Sequence, residues 1–258
     1  MGRVVAFSEF DSYLKTIQWG PSVQGTILDT NILISSSYEV KSDHEEVIDF
    51  LEKLSEAEFS IFTTVNTKSE YLDFHRRLIM TENLRDMLDP SSMWRISSAG
   101  RAQIQVQSGQ LKRQEDQQGS DPVFSDRQLK KIKSAFSAGM HSGQTGWLSL
   151  CHSFLHCRLD VAEDILTERG VQYISQHVEE QKGFFDRKID WPDAKRISEQ
   201  TCLGLADAMI INAFQCSRFP FMVSADFDIG YVALASTEIK DVVMPDSVAK
   251  KYRGYHFA

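Results

Sequence analysis

The chain has 258 residues, a formal net charge of −8 and a sequence pI near 5.4. Hydrophobic residues make up 42% of it and charged residues 25%, which is ordinary globular usage and argues against collagen, coiled coil and wholesale disorder. The length favours one large domain or a domain with a sizeable insertion. The acidic balance argues against a protein that coats nucleic acid by bulk positive charge.

The sequence also predicts a soluble protein of the cytoplasm. No apolar run approaches the roughly 18 residues of a membrane span, and the N-terminal residues lack the apolar core of a signal peptide. The cysteines are scattered without a CxxC pair, which favours reduced thiols. They are Cys151, Cys157, Cys202 and Cys216. We therefore expect no contact with a membrane.

The N-terminal half begins as an alternation of strands and helices. Residues 1–24 are predicted to be a helical lead-in, and GTILD at 25–29 is a compact apolar run that suits a buried strand. A helix is predicted to follow, then a second strand, FSIFTTV at 59–65, and another helix. This order predicts parallel strands joined by right-handed crossovers.

The same pattern resumes near the C-terminus. RKIDW at 187–191 is predicted to be a short strand, and LADAMIINAF at 205–214 is a strongly apolar helix. FMVSAD at 221–226 suits a buried strand, and DVVM at 241–244 a last strand at an edge of the sheet. The expected fold is therefore α/β: a three-layer α/β/α sandwich with a central, mostly parallel sheet.

Between residues 90 and 186 the character changes. Residues 97–120 are rich in Gln, Ser and Gly, and they are predicted to be flexible or extended. Three further stretches are predicted to be helical: 126–138, 145–158 and 160–181. The segment is too long for a connecting loop, so we interpret 90–186 as a helical insertion in an α/β domain formed by 25–89 and 187–258.

Acidic residues follow the predicted strands. Asp29 ends the first strand and Asp226 ends the strand 221–226, while Glu70 and Asp207 lie near the starts of helices. The carboxyl ends of parallel strands meet at one edge of a sheet, where open α/β folds place their sites. Carboxylates beside apolar segments are costly unless a divalent cation neutralises them, and all-oxygen ligands favour Mg²⁺ or Mn²⁺. Such ions activate water for phosphodiester hydrolysis.

Four sequence blocks, in this order, resemble the signature blocks of the PIN-domain nucleases. They are ILDTN (27–31), Glu70 after a strand, GLADAMIINA (204–213) and VSADFDIGYVA (223–233). The resemblance covers about residues 25–89 and 187–258 and leaves the lead-in and the insertion unmatched. It implies a PIN-like fold and a metal-dependent nuclease that hydrolyses phosphodiester bonds, with RNA favoured over DNA as the substrate.

The resemblance also implies roles for individual residues. The implied catalytic residues and ligands of Mg²⁺ or Mn²⁺ are Asp29, Glu70, Asp207 and Asp226, with Asp228 as a further ligand from the last block. Thr30, Asn31 and Ser224 flank these positions and are expected to support the site by hydrogen bonds. Removing five such charges from −8 leaves −3 for the rest of the chain, which is unremarkable.

Each acidic residue also has a purely structural interpretation. Asp29 could stabilise the turn after its strand, and Glu70 could be a first-turn acid favoured by the helix dipole. Asp207 could be a helix N-cap, and Asp226 with Asp228 could simply form a turn.

Local basic clusters are the candidates for contacts with phosphates, the alternative being exposed, solvated faces. They comprise Arg76, Arg77, Lys130, Lys131, Lys133, Arg187 and Lys188. Trp94, Phe136 and Trp147 could stack on bases, although core packing is the favoured interpretation of each. The segment CHSFLHC (151–157) places His152 and His156 four residues apart, and an amphipathic helix is favoured there over a zinc site.

The alternative function is a PIN-like module that is catalytically weak or inactive and binds nucleic acid or protein. The long helical insertion motivates it, because such an insert is a typical docking surface for a protein partner. A nuclease toxin of a toxin–antitoxin pair is a third hypothesis, although the chain is long for that group. The oligomeric state stays open, a homo-oligomer included.

Overall fold

The computed structural model describes residues 2–19, 22–118, 121–236 and 239–254, with side chains left undescribed at 117, 118, 253 and 254. The strands are β1 (Val4–Ala6), β2 (Gly25–Leu28), β3 (Ser60–Thr63), β4 (Val171–Tyr173), β5 (Phe221–Val223) and β6 (Asp241–Met244). The helices are α1 (Phe10–Leu14), α2 (Thr30–Ser37), α3 (His44–Glu56), α4 (Val65–Asp86), α5 (Ser98–Gln118), α6 (Asp126–Lys133), α7 (Trp147–Leu155), α8 (Arg158–Glu168), α9 (Trp191–Thr201), α10 (Leu205–Cys216), α11 (Phe227–Ala235) and α12 (Asp246–Ala249). Short 3₁₀ turns occupy Phe7–Glu9, Glu179–Phe184 and Lys250–Gly254.

The strands form one six-stranded sheet in the order β1-β6-β5-β2-β3-β4, and every neighbouring pair is parallel. The predicted α/β/α class with a central parallel sheet is therefore confirmed. Because side chains of a strand alternate between faces, neighbouring residues of β5 enter different cores. Met222 packs with residues of α9, α10 and α11, whereas the Phe221 ring lies 5.3 Å from that of Phe10 on α1.

Two predictions about the strands are wrong. Strand β6 is not an edge strand, because β1, in the segment predicted to be a helical lead-in, pairs with it in the register Val5↔Val243. Residues 187–191 form no strand: 187–190 are irregular and Trp191 begins α9. The edge strands of the described sheet are β1, paired with β6, and β4, paired with β3. The segment leaves the sheet because Asp190 caps α9.

The chain divides into two compact units. Residues 1–71 and 165–258 form the first, which contains the sheet, and residues 72–164 form the second. The inserted segment was predicted at 90–186, but the division falls inside α4 and α8, because both helices run through it. The segment 171–173 belongs to the sheet and is not helical.

The second unit is helical and has its own hydrophobic core, which includes Leu84, Phe124, Ile132 and Leu150. Residues 98–118, predicted to be flexible or extended, form the helix α5 instead. Its buried residues Ile104, Gln107 and Leu111 recur at helical spacing and so form one face. In the described part of the chain, no helix combines the length and apolar character needed to cross a membrane.

Candidate functional site: an acidic cluster at the carboxyl edge of the sheet

The register of β2 and β5 places two of the predicted site residues side by side. Leu28 pairs with Val223, so Asp29 and Ser224 leave the two strands at the same level of the sheet. The backbone N–H of Asp29 donates to the carbonyl of Val223 at 2.9 Å. The Ser224 hydroxyl donates to Oδ2 of Asp29 at 2.7 Å, as expected of a supporting residue.

Asp29 is a buried carboxyl group at the N-cap of α2. It is 3% exposed, and its Oδ1 accepts from the Thr30 N–H at 2.8 Å, so the predicted structural role of stabilising the turn is also fulfilled. Burial raises its pKa to about 7, and the charges of Asp226 and Asp207 contribute, against the hydrogen bonds from Ser224 and Thr30. A buried carboxyl group whose pKa is raised this far is typical of functional sites.

Glu70 joins the site through Thr30. The Thr30 hydroxyl donates to Oε2 of Glu70 at 2.6 Å, which ties the start of α2 to α4. The interpretation of Glu70 as a first-turn acid is wrong, since α4 begins at Val65 and its first turn holds no acidic residue. Asn31, the other predicted supporting residue, is half-buried at the second position of α2.

Asp207 is the third residue of α10 and is half-buried. The N-cap interpretation is wrong, because Gly204 occupies that position and no side chain caps the helix. The pKa of Asp207 is raised, first by burial and then by the negative charges of Asp226, Glu70 and Asp228. The structure thus brings the predicted acidic residues close enough to act on one another.

Asp226 is the N-cap of α11. Its side chain accepts from the Asp228 N–H at 2.7 Å, and its own N–H donates to Oγ of Ser224 at 2.9 Å. The capping geometry agrees with the structural interpretation of Asp226. The negative charge of Asp226 nevertheless acts on Asp29 and Asp207. Asp228 lies in the first turn of α11 and is exposed.

The donor set of this cluster is chemically suited to Mg²⁺ or Mn²⁺, because it consists of carboxylate and hydroxyl oxygens. Burial, and then the charges of neighbouring carboxylates, raise the pKa of Asp29 and of Asp207, and a cation would relieve the repulsion between the charges. Over the residues described, however, no three His, Cys, Asp or Glu side chains are arranged so as to hold a metal ion as they stand. Mg²⁺ usually binds through one or two carboxylates and keeps several waters, so a cation at the cluster would not need three carboxylates to meet at one point.

The basic candidates are engaged to different degrees. Arg76 pairs with Asp73 and Asp126, and Arg77 pairs with Asp73, all within the second unit. Lys130, Lys131 and Lys133 are exposed in the last turn of α6, where cations complement the helix dipole. Arg187 lies 3.5 Å from Asp193, and Lys188 is exposed.

The aromatic and histidine candidates of the insertion belong to its core and to α7. Trp147 is buried and Trp94 and Phe136 pack against the same core, as the favoured interpretation holds. Helix α7 is amphipathic, with Leu150 and Phe154 buried. The rings of His152 and His156 stack at 4.9 Å.

Sequence reasoning missed two exposed aromatic residues of the first unit, Tyr173 and Trp191. Trp191 was placed inside a predicted strand, whereas Asp190 caps a helix that starts at Trp191 and has Pro192 in its first turn. The string Asp190-Trp191-Pro192 carried that signal, because Asp before a proline is typical of a helix start.

Comparisons of the chain with family models, with curated proteins and with solved structures find no match. The PIN-domain resemblance therefore stays a prediction from the residues.

Proposed function

We propose that this chain is a Mg²⁺- or Mn²⁺-dependent nuclease of PIN-like type that hydrolyses phosphodiester bonds, with RNA preferred to DNA. The observation that supports it most is the gathering of acidic residues at the carboxyl edge of the sheet, where burial, and then the negative charges of neighbouring carboxylates, raise the pKa of both Asp29 and Asp207. Four free cysteines fit action in a reducing cytoplasm.

The position of each residue in the cluster suggests a different role for it. Asp29, Asp207 and Asp226 would hold the cation, with Asp228 at the exposed side. When bound, Mg²⁺ or Mn²⁺ supplies the charge that acidifies water and stabilises the leaving oxygen. Glu70, fixed by the Thr30 hydroxyl, either holds the cation or orients the attacking water. Ser224 keeps Asp29 and Asp226 in register.

A second candidate function is a PIN-like module that binds nucleic acid or protein without cutting. One observation favours it: within the described ranges no ready-made group of metal-ligating side chains exists. Such a module would keep the buried acid for structural reasons, as an N-cap of α2.

A cleavage panel separates the two. The whole chain is incubated with single-stranded RNA, duplex RNA, single-stranded DNA and flap DNA, each in Mn²⁺ and in chelator. The nuclease proposal expects metal-dependent cutting with single-stranded RNA as the best substrate. Binding of any of these without cutting in Mn²⁺ would favour the module, and cutting in chelator would contradict the metal site.

A further inference from the structure

A groove of about 370 Å³ lies in the first unit, where β3 and β4 end. We call it the Trp191 groove. It is lined by residues 64–66 at the start of α4, by 173–177 after β4, by 188–191, and by Met209 and Ala213 of α10. None of the acidic cluster lines it.

The Trp191 groove exposes aromatic surface. Tyr173 is 43% exposed and Trp191 60% exposed, and Val65, at 61%, lines the same groove. Large apolar side chains that gather at one exposed site mark a binding surface. Flat aromatic rings held in a groove are the usual platforms for unpaired bases, because every base has a face that can stack.

Trp191 is held in place by bonds at its own helix start. The Asp190 side chain accepts from the Asp193 N–H at 2.9 Å, which caps α9 at Trp191. The Asp190 N–H in turn donates to Oδ1 of the fully buried Asn212 at 3.1 Å. The backbone that carries the exposed Trp191 ring is thus held in place before any ligand binds.

Two glutamine side chains fix the loop that carries Tyr173. Gln176 accepts from the Ile189 N–H at 2.9 Å and donates to the Arg187 carbonyl at 2.7 Å, which joins the two sides of the groove. Gln181 donates to the Tyr173 carbonyl at 2.9 Å. These hydrogen bonds therefore hold the backbone segments that carry Tyr173 and Trp191 before any ligand arrives.

Lysine side chains lie in and beside the groove, where they can meet the phosphates of a nucleic acid. Lys188 and His177 are exposed and line the groove, and the ammonium of Lys68 lies 6.0 Å from the centre of the Tyr173 ring. Asp190 is the one acidic residue among the described residues of the lining, and its carboxylate accepts from the Asp193 N–H as the cap of α9. Cations beside exposed rings are the combination that binds single-stranded nucleic acid.

The groove and the acidic cluster share α4. Asn66 lines the groove, and Glu70 lies four residues on, so both are on one face and about 6 Å apart along the axis. A strand whose bases occupy the groove therefore needs to extend only about one helical turn along α4 to reach Glu70.

We propose that the Trp191 groove binds one or two unpaired bases of a single-stranded nucleic acid, stacked on Trp191 and Tyr173, with Lys188 at the phosphate. The proposal rests on the proposed function, because the role of such binding would be to place a phosphodiester bond at the acidic cluster.

The test measures binding of labelled ten-residue oligouridylate and oligothymidylate to the whole chain in chelator, by fluorescence anisotropy. Trp191→Leu is expected to weaken binding about tenfold, while Trp191→Phe stays close to the parent because it keeps a stacking face. Trp19→Leu, which removes another tryptophan with 41% exposure outside the groove, is the matched control and leaves binding unchanged. Lys188→Gln should reduce the dependence of log affinity on log salt concentration by about one unit of slope, which corresponds to one lost phosphate contact. This variant tests the groove even if the Trp191 variants do not fold.

Stronger binding of the ribose oligomer would assign the groove to RNA, and equal binding to both would leave the shared base chemistry as its ligand. The proposal is overturned if neither oligomer binds the parent protein, or if Trp191→Leu and Lys188→Gln both bind as the parent does. Cleavage in Mn²⁺ is measured separately. Binding that depends on Trp191, with no cutting in Mn²⁺, would support the groove proposal and contradict the nuclease proposal. Cutting that is unchanged in Trp191→Leu would support the nuclease proposal and contradict the groove proposal.

Discussion

Ser224 Oγ donates a 2.7 Å hydrogen bond to Oδ2 of Asp29 across 195 positions of sequence. The same Oγ accepts the N–H of Asp226 at 2.9 Å. One buried hydroxyl therefore joins the acid that follows β2 to the acid that follows β5. The placement of these two acids relative to each other therefore depends on the register between β2 and β5.

Ser224→Ala tests this link. It removes a donor to the Asp29 carboxylate and leaves the Asp226 N–H without its acceptor, so we expect a loss of about 1–3 kcal/mol in the free energy of unfolding. The matched control is Ser35→Ala, since Ser35 is also buried and donates to a carboxylate, that of Asp43, at 2.9 Å. Urea unfolding should show a loss for both variants, but only Ser224→Ala should weaken Mn²⁺ binding. Equal Mn²⁺ binding by both would contradict the role of Ser224.

The raised pKa of Asp29 predicts that the free energy of unfolding depends on pH. Its folded-state pKa is about 7, above the ordinary value of 3.8, mainly because of burial. Between these values the folded state binds more protons than the unfolded state, so the free energy of unfolding falls as pH rises from about 4 to about 7 and then levels.

Asp29→Asn removes the titrating group and keeps the side-chain shape. We expect it to stabilise the metal-free protein at pH 8 by up to about 4 kcal/mol, with little effect at pH 4. Thermal unfolding in chelator over pH 4–8 measures this. A variant less stable than the parent at pH 8 would show that ionised Asp29 is well solvated or compensated in the fold.

Asp207→Asn should abolish cutting in Mn²⁺, because it removes a proposed ligand of the cation. It should not lower stability, because burial and the neighbouring carboxylates already disfavour the charge of Asp207. Asp193→Asn is the matched control: Asp193 is likewise the third residue of its helix, α9, but pairs with Arg187 away from the cluster. Initial cleavage rates with single-stranded RNA and circular dichroism of each variant provide the readouts. Full activity of Asp207→Asn would remove this residue from the mechanism.

Lys240 is a structural cation at the opposite, amino-terminal end of β6. Its ammonium donates to the carbonyls of Phe214, Ser217 and Phe219 at 3.0, 2.5 and 3.3 Å, and burial lowers its pKa to about 8. Lys240→Met should cost about 2–4 kcal/mol, because the carbonyls lose a charged donor. Lys53→Met, at an exposed position of α3, should cost little in the same urea titration.

The α/β class and the meeting of the acidic residues could be predicted because both depend on local patterns. Apolar runs such as 25–29 and 221–226 indicate buried parallel strands, and residues that follow such strands share an edge of the sheet. Asp207 was predictable for a related reason, since the helix LADAMII has no polar face on which to place it.

Other features depend on contacts that no local pattern encodes. The pairing of β1 with β6 joins residues about the whole chain apart, such as Val4 and Val242, and three residues of β1 are too few to reveal a strand. Residues 98–118 look weakly apolar because only a narrow face, with Ile104 and Leu111, is buried. Residues 187–191 have strand-like composition, but side-chain bonds from Gln176 hold the segment as a loop.

Mn²⁺ binding tests the central claim most directly. Purified protein at pH 7.5 is titrated with Mn²⁺ and free Mn²⁺ is followed by electron paramagnetic resonance, for the parent and for the Asp29→Asn/Asp207→Asn double variant. The metal-site account predicts saturable binding by the parent at or below millimolar Mn²⁺ and its loss in the double variant. No binding by the parent at millimolar Mn²⁺, or equal binding by both proteins, would contradict it.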